Sequence, residues 1–78
     1  MAKKGKIENN LRTLRFMAEE MTQQELADAV GVSRQTIVAI EKSKYSPTLE
    51  LAFKISGVFD RPIGEVFSYI PGDDKKKS

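Results

Sequence analysis

The sequence predicts an all-α domain of five short helices. Apolar residues recur at helical spacing, and no alternating apolar run is long enough to indicate a sheet. The chain of 78 residues contains no cysteine and no histidine, so disulfides and the usual zinc sites are not available to stabilise it. We therefore expect one small domain whose core comes from packed helices.

The first helix is predicted to begin at Ile7. Its apolar residues follow the i, i+4, i+7, i+10 spacing of one helix face, namely Ile7, Leu11, Leu14 and Met17 or Ala18. Residues 1–6 are basic and poor in apolar side chains, and residues 71–78 are polar and rich in lysine. We predict that both segments are flexible and that the folded domain spans residues 7–70.

Helices two and three are predicted from the residues that flank them. Thr22 and Glu25 form a capping box, which starts helix two. Gly31 suits the left-handed residue that often ends a helix, so helix two ends just before it. Ser33 is a favoured N-cap, and helix three is expected to cover residues 34–42.

Helices four and five follow a proline turn. The run Ser46-Pro47-Thr48 is typical of a helix start, because proline loses nothing in a first turn. The fourth helix, over residues 48–59, is expected to bury Leu49, Ala52, Ile55 and Phe59. Residues 60–62 end it, and a short fifth helix follows with three apolar side chains, Ile63, Val66 and Phe67.

Composition and charge limit the classes of function. Without histidine or cysteine the chain lacks the usual zinc ligands, the commonest general base and a thiolate nucleophile, so we expect neither an enzyme nor a metal or cofactor site. No signal peptide follows the first lysines and no apolar run approaches the ~20 residues of a membrane span, which predicts a cytoplasmic protein. Residues 1–18 hold five basic side chains against one acidic one, a cluster that suits either a phosphate partner or a solvated surface.

A helix-turn-helix is the most specific pattern in the chain. Residues 23–42 contain two helices joined by a short turn, in which Gly31 makes the turn and the small Ala27 permits close crossing. Five apolar residues are expected to hold the two helices together: Leu26, Val30, Val32, Ile37 and Ile40. Helices fixed in this way can present the N-terminal end of the second one to the major groove of DNA.

This segment resembles the helix-turn-helix of the Cro and phage-repressor (Xre-like) family, and the resemblance extends from about Asn10 to Phe67. The run SRQTIVAIEKSKYSPTLELAFKIS is similar to small stand-alone bacterial and archaeal regulators in which a Lys-Tyr-x-Pro turn follows the recognition helix. The resemblance implies a compact five-helix lambda-repressor-like domain that binds double-stranded DNA at specific sequences. It also implies a homodimer on a palindromic operator.

The resemblance assigns the base-contacting positions to Arg34, Gln35, Thr36 and Ala39, with Ser33 at the cap. Arg34 suits a bidentate pair with guanine, Gln35 suits adenine, and a methyl group of Thr36 or Ala39 suits the thymine methyl. The alternative for Arg34 and Gln35 is a solvated helix surface. Ala39 stands where some family members have a long polar side chain, so we expect DNA shape to contribute there.

Contacts to the DNA backbone are assigned to Gln23, Lys42, Lys44 and Tyr45. Gln23 matches the phosphate-binding glutamine of the family at the start of helix two, although helix-start chemistry alone also explains it. The other three follow the recognition helix and would flank phosphates without identifying bases. Tyr45 is explained equally well by covering the turn beside it.

Two further expectations concern contacts between protein side chains. Glu41 matches a family position that pairs with an arginine of the first helix, and Arg15 is the predicted partner. Together with Val58, five apolar residues exceed what a single short helix pair buries on one face, and these five are predicted to form an isologous dimer contact: Phe53, Val66, Phe67, Tyr69 and Ile70. An ordinary monomer core is the alternative explanation for these five.

These features together predict a non-enzymatic transcriptional regulator, with repression as the expected effect, whose partners are duplex DNA and a second copy of the chain. No small-molecule ligand is evident. The alternative is an antitoxin-like protein-interaction subunit that binds DNA only secondarily. In that alternative, substitution of Phe53 or Phe67 abolishes partner binding, whereas Arg34→Ala has little effect.

Overall fold

A computed structural model describes residues 5–72. Within these residues there are five helices, as predicted, together with two short strands. In chain order the elements are β1 (Lys6–Asn9), α1 (Leu11–Met17), α2 (Gln23–Val30), α3 (Arg34–Glu41), α4 (Leu49–Val58), α5 (Ile63–Val66) and β2 (Phe67–Ile70). The predicted flexible segments lie mostly outside the described residues, at positions 1–4 and 73–78.

The strands correct the prediction of a purely all-α fold. β1 and β2 pair antiparallel, with Lys6 opposite Ile70 and Asn9 opposite Phe67. Lys6 therefore belongs to the sheet and not to a flexible segment, Ile7 precedes the first helix, and Phe67 follows the fifth. Each strand has four residues, and the two strands are separated in the sequence by all five helices. Periodicity along the chain does not report such a pairing.

Asn9 determines where the strand ends and α1 begins. Its side-chain Oδ1 accepts a hydrogen bond from the backbone N–H of Leu11 at 3.1 Å, and its Nδ2 donates to the carbonyl of Ile40 at 2.8 Å. One side chain thus satisfies a donor near the start of α1 and an acceptor near the end of α3. This double contact ties the sheet to α3.

The predicted caps are present. The Thr22 Oγ1 accepts from the Glu25 N–H at 2.9 Å, and the Glu25 carboxylate accepts from the Thr22 N–H at 2.8 Å. Gly31 has φ +79°, a left-handed conformation that favours glycine. The side chains of Ser33 and Thr48 accept from backbone N–H groups in the first turns of α3 and α4. Local chemistry therefore defines the start of three helices.

The core is formed by apolar side chains from every helix and from β2. The buried residues are Leu11, Leu14, Leu26, Ala27, Val30, Ile37, Ile40, Leu51, Ala52, Ile55, Val66 and Phe67. The prediction that Leu49 is buried is wrong, since its side chain is 68% exposed. Helix α4 is rotated so that Leu51 and Ser56 face inward beside Ala52 and Ile55. The Ser56 hydroxyl is satisfied there by donating to the carbonyl of Ala52 at 2.8 Å.

The connection between α1 and α2 contains two successive left-handed residues, Glu19 at φ +59° and Glu20 at φ +60°. The backbone N–H of Glu20 donates to the carbonyl of Phe16, and that of Met21 donates to the carbonyl of Arg15 at 2.8 Å. Left-handed backbone costs a residue other than glycine about 1 kcal/mol. The connection is therefore strained, and the hydrogen bonds that close it offset part of that cost.

No helix within residues 5–72 is long and apolar enough to span a bilayer.

Candidate nucleic-acid interface

The turn between α2 and α3 fixes the relative position of the two helices. The backbone N–H groups of Gly31 and Val32 both donate to the carbonyl of Ala27, at 2.8 and 3.0 Å. Ala27 itself is completely buried, as its role in a close helix crossing requires. On α3 the side chains of Ile37 and Ile40 point into the core, with 0% and 1% exposure. The opposite side of α3 is therefore directed outward.

The predicted base-contacting residues occupy this outward side to different degrees. Arg34 and Gln35 are exposed in the first turn of α3, and Ser33 is exposed at the cap. Thr36 is half-buried, and its hydroxyl lies 3.1 Å from the Ser33 hydroxyl. Ala39 is also half-buried and offers only a methyl group. The polar groups with the greatest reach therefore stand at the N-terminal end of the helix.

A chain of hydrogen bonds connects Arg34 to the interior. Its Nη1 donates to Gln23 Oε1 at 3.1 Å, and Gln23 Nε2 donates to Glu41 Oε1 at 3.1 Å. The amide of Gln23 thus holds the start of α2 between the two ends of α3. The side-chain NH₂ group of Gln23 carries two hydrogens, and the bond to Glu41 uses only one of them. Gln23 can therefore orient Arg34 and still donate to a phosphate.

The predicted pair between Arg15 and Glu41 is confirmed. Arg15 Nε and Nη2 donate to the two carboxylate oxygens of Glu41 at 2.6 and 3.0 Å. Arg15 Nη1 also donates to the carbonyl of Met21 at 2.8 Å. The two side chains are only 14% and 10% exposed. This bidentate pair joins α1, the strained connection after it and the end of α3.

The predicted backbone-contacting residues after α3 lie in an exposed turn. Lys42 caps the helix, Ser43 adopts a left-handed conformation at φ +59°, and the Lys44 N–H donates to the carbonyl of Ala39 at 2.9 Å. Within residues 5–72 neither Lys42 nor Lys44 takes part in a salt bridge. Tyr45 is 45% exposed, which is compatible both with a phosphate contact and with a side chain that covers the neighbouring turn.

Beside these residues lies a cleft that sequence reasoning missed. It has a volume of about 360 Å³ and is open to solvent. Its walls come from β1, α1, α2 and α3: Asn9, Asn10, Arg12, Thr13, Arg15, Gln23, Val38, Glu41 and Lys42. In the sequence Arg12 and Thr13 are simply two polar residues of the predicted first helix. Their proximity to Lys42 becomes apparent only in the folded chain.

The residues predicted to form a dimer contact fall into two groups. Val66 and Phe67 are 0% and 9% exposed and belong to the core of the single chain, which corrects their assignment to an intermolecular surface. The side chains of Phe53, Tyr69 and Ile70 are 56%, 62% and 41% exposed. Phe53 lies on α4, and the other two lie on β2.

Comparison with known proteins identifies the same architecture. The helix-turn-helix family model HTH_3 matches residues 11–66. An uncharacterized HTH-type transcriptional regulator of Methanocaldococcus jannaschii, MJ0272, is 49% identical over 63 residues, covering 81% of this chain and 94% of the relative. The cryptic phage CTXphi transcriptional repressor RstR of Vibrio cholerae is 35% identical over 60 residues, covering 77% and 53%. The crystal structure of the transcriptional regulator VanUg superimposes with a TM-score of 0.68 at 22% identity, covering 88% and 91% of the two chains, and supports the fold.

Proposed function

We propose, because this chain belongs to the helix-turn-helix family of Cro/C1-type transcriptional regulators, that it recognises a palindromic operator through the N-terminal end of α3. The observation that carries the proposal is the position of Arg34. It is exposed in the first turn of α3, and its guanidinium is held by Gln23. A recognition helix contacts base edges through this end.

The proposed recognition chemistry follows from the exposed side chains. Arg34 donates two parallel hydrogen bonds to O6 and N7 of guanine, and Gln35 pairs with N6 and N7 of adenine. The free amide hydrogen of Gln23, the ammonium groups of Lys42 and Lys44 and the hydroxyl of Tyr45 hold phosphates on either side. Thr36 and Ala39 contribute methyl groups against thymine or the sugar edge.

We further propose a homodimer that acts as a repressor and has no catalytic activity. The exposed apolar side chains Phe53, Tyr69 and Ile70 supply the contact between two copies. A two-fold axis then sets the two recognition helices about 34 Å apart, which is one turn of DNA. The phage repressor among the relatives supports repression, in which the bound dimer occupies DNA that polymerase needs.

Selection from a randomised duplex library, followed by sequencing, tests the DNA-binding proposal. We expect the wild type to enrich an inverted repeat with half-sites about ten base pairs apart. Arg34→Ala should relax one position in each half-site at a cost of about 1 to 3 kcal/mol, because a bidentate pair is lost. Arg61→Ala, which removes an exposed arginine of the α4–α5 connection, should preserve the enriched sequence. The proposal is wrong if the wild type enriches no sequence and its binding vanishes as salt is raised.

Sedimentation equilibrium tests the homodimer. We expect the wild type to dimerise at micromolar concentration and Phe53→Ser to weaken the dimer about tenfold or more, since a buried phenylalanine side chain contributes roughly 1.5 to 3 kcal/mol. Phe16→Ser is the matched control, because Phe16 is 68% exposed on α1, outside the predicted contact. A monomeric wild type, or equal effects of the two substitutions, would contradict the proposed contact.

A further inference from the structure

Four side chains form a continuous hydrogen-bonded network that runs from the Arg15–Glu41 pair to the exposed side of α3. Arg15 Nε and Nη2 donate to the two carboxylate oxygens of Glu41. Glu41 Oε1 also accepts from Gln23 Nε2 at 3.1 Å, and the other end of the same amide, Gln23 Oε1, accepts from Arg34 Nη1 at 3.1 Å. The network therefore connects a largely buried ion pair to the exposed side chain that is proposed to contact a base.

The carboxylate of Glu41 determines which way the Gln23 amide points. An ionised carboxylate carries no hydrogen and can only accept, so the NH₂ end of the amide must face it. The oxygen end of the amide then faces Arg34, whose guanidinium can only donate. Each contact of the network joins a donor to an acceptor, and the orientation of Gln23 follows from the charge of Glu41.

This orientation holds one edge of the Arg34 guanidinium and presents another to DNA. The bond to Gln23 uses Nη1. The Nε and Nη2 groups are parallel donors on a different edge, and such a pair matches O6 and N7 of guanine. A long side chain that is already held before it meets its base loses less conformational freedom on binding. The acceptor that Gln23 supplies therefore favours one binding geometry of Arg34.

We propose that Glu41 is a positioning residue for base recognition, which acts on Arg34 through the amide of Gln23. Arg15 supports it by holding the carboxylate from the opposite side. The inference rests on the proposed function and adds to it an ion pair that acts without contact to a base. Its particular consequence is that the preference for one base pair depends on the orientation of a single amide.

Glu41→Gln is expected to reverse the Gln23 amide. The single oxygen of the new side chain is the acceptor that the charged Arg15 guanidinium requires, so the new NH₂ group turns toward Gln23. The Gln23 oxygen then accepts from that group, and its own NH₂ end faces Arg34, donor against donor. Arg34 loses its support, and the preference for its base pair falls.

Competition between two duplexes measures this preference. One is the operator enriched by the wild type, and the other differs only at the base pair whose selection Arg34→Ala relaxes. We expect the wild type to prefer the first duplex by about tenfold or more, within the range of about 5- to 100-fold for a bidentate contact, and Glu41→Gln to prefer it by about threefold or less. The ratio of the two affinities does not depend on the folded fraction, because unfolded protein is lost equally from both complexes.

Gln23→Glu combined with Glu41→Gln restores the order of donors and acceptors. The new carboxylate at position 23 accepts both from the amide at position 41 and from Arg34, so the preference should return to about tenfold. Both affinities fall together, since this double variant lacks the amide hydrogen proposed to bind phosphate. The stability lost with the Arg15–Glu41 pair is not recovered. A return of the preference therefore separates positioning from folding.

Two further variants complete the test. Gln23→Leu breaks the network and leaves the Arg15–Glu41 pair intact, so it should fold and lower the preference to about threefold or less. Leu26→Ala is the matched control for lost stability, because it truncates a completely buried side chain outside the network, and it should retain the wild-type preference. Circular dichroism at the temperature of the competition measures how much of each variant is folded.

The possible results distinguish the positioning role from the proposed function. If the wild type shows the preference and Glu41→Gln or Gln23→Leu keeps it in full, the positioning role is wrong and the proposed function stands. The same holds if Leu26→Ala loses as much of the preference as Glu41→Gln, or if the double variant does not recover it. If the wild type enriches no operator, both proposals fail.

Discussion

Replacement of Glu41 by glutamine is expected to lower the free energy of unfolding by about 3 kcal/mol, because it leaves the Arg15 guanidinium buried without its counter-ion. The two side chains are 10% and 14% exposed, so water replaces little of the lost interaction. A domain of this size has a total stability on the order of 4 to 12 kcal/mol. Urea unfolding followed by circular dichroism measures the change.

Glu50→Gln is the matched control for this experiment. Glu50 pairs with Lys54 one turn along α4, at 3.5 Å, and its side chain is 79% exposed. Exposed pairs of this type contribute only about 0.3 to 0.5 kcal/mol, and the position near the start of α4 adds a similar amount. Equal destabilisation by the two substitutions would show that the Arg15–Glu41 pair has no special weight in the fold.

Leu26→Ala is expected to destabilise the domain by about 3 kcal/mol, within the range of roughly 2 to 5 kcal/mol for buried leucines. Leu26 is completely buried on α2, where truncation leaves a cavity in the core. Leu49→Ala removes the same atoms from a side chain that is 68% exposed, and should change stability by less than about 0.5 kcal/mol.

Urea unfolding of both variants at one protein concentration compares the two leucines directly. The comparison also tests the correction made for α4, whose sequence pattern had placed Leu49 in the core. A loss of about 3 kcal/mol for Leu49→Ala would show that this side chain is buried in solution.

Helix starts and the turn of the helix-turn-helix were predictable because their causes are local. A threonine three residues before a glutamate and a glycine at the end of a helix act through neighbouring backbone groups. The Arg15–Glu41 pair was predictable only through the family resemblance, since the two residues are 26 positions apart. Their spacing alone carries no such information.

The sheet and the cleft escaped prediction because both depend on distant parts of the chain. Asn9 and Asn10 were a local sign that α1 starts late, but the partner of β1 lies at the other end of the domain. The same dependence on distant parts of the chain explains Val66 and Phe67, which are buried once α5 and β2 pack on the core. Arg12 and Lys42 line one cleft only after α1 and α3 have docked.

The pairing of β1 with β2 has a consequence for how the domain opens. The sheet contains only four residue pairs, and three of the four residues of β2 are exposed. We expect such a small unit to exchange its amide hydrogens by local opening, well before the helices around the core unfold. Opening of the sheet would release the Asn9 side chain from the carbonyl of Ile40, while the buried side chains of Ile37 and Ile40 keep α3 on the core. A second copy that covers Tyr69 and Ile70 would lengthen the lifetime of the closed sheet without moving α3.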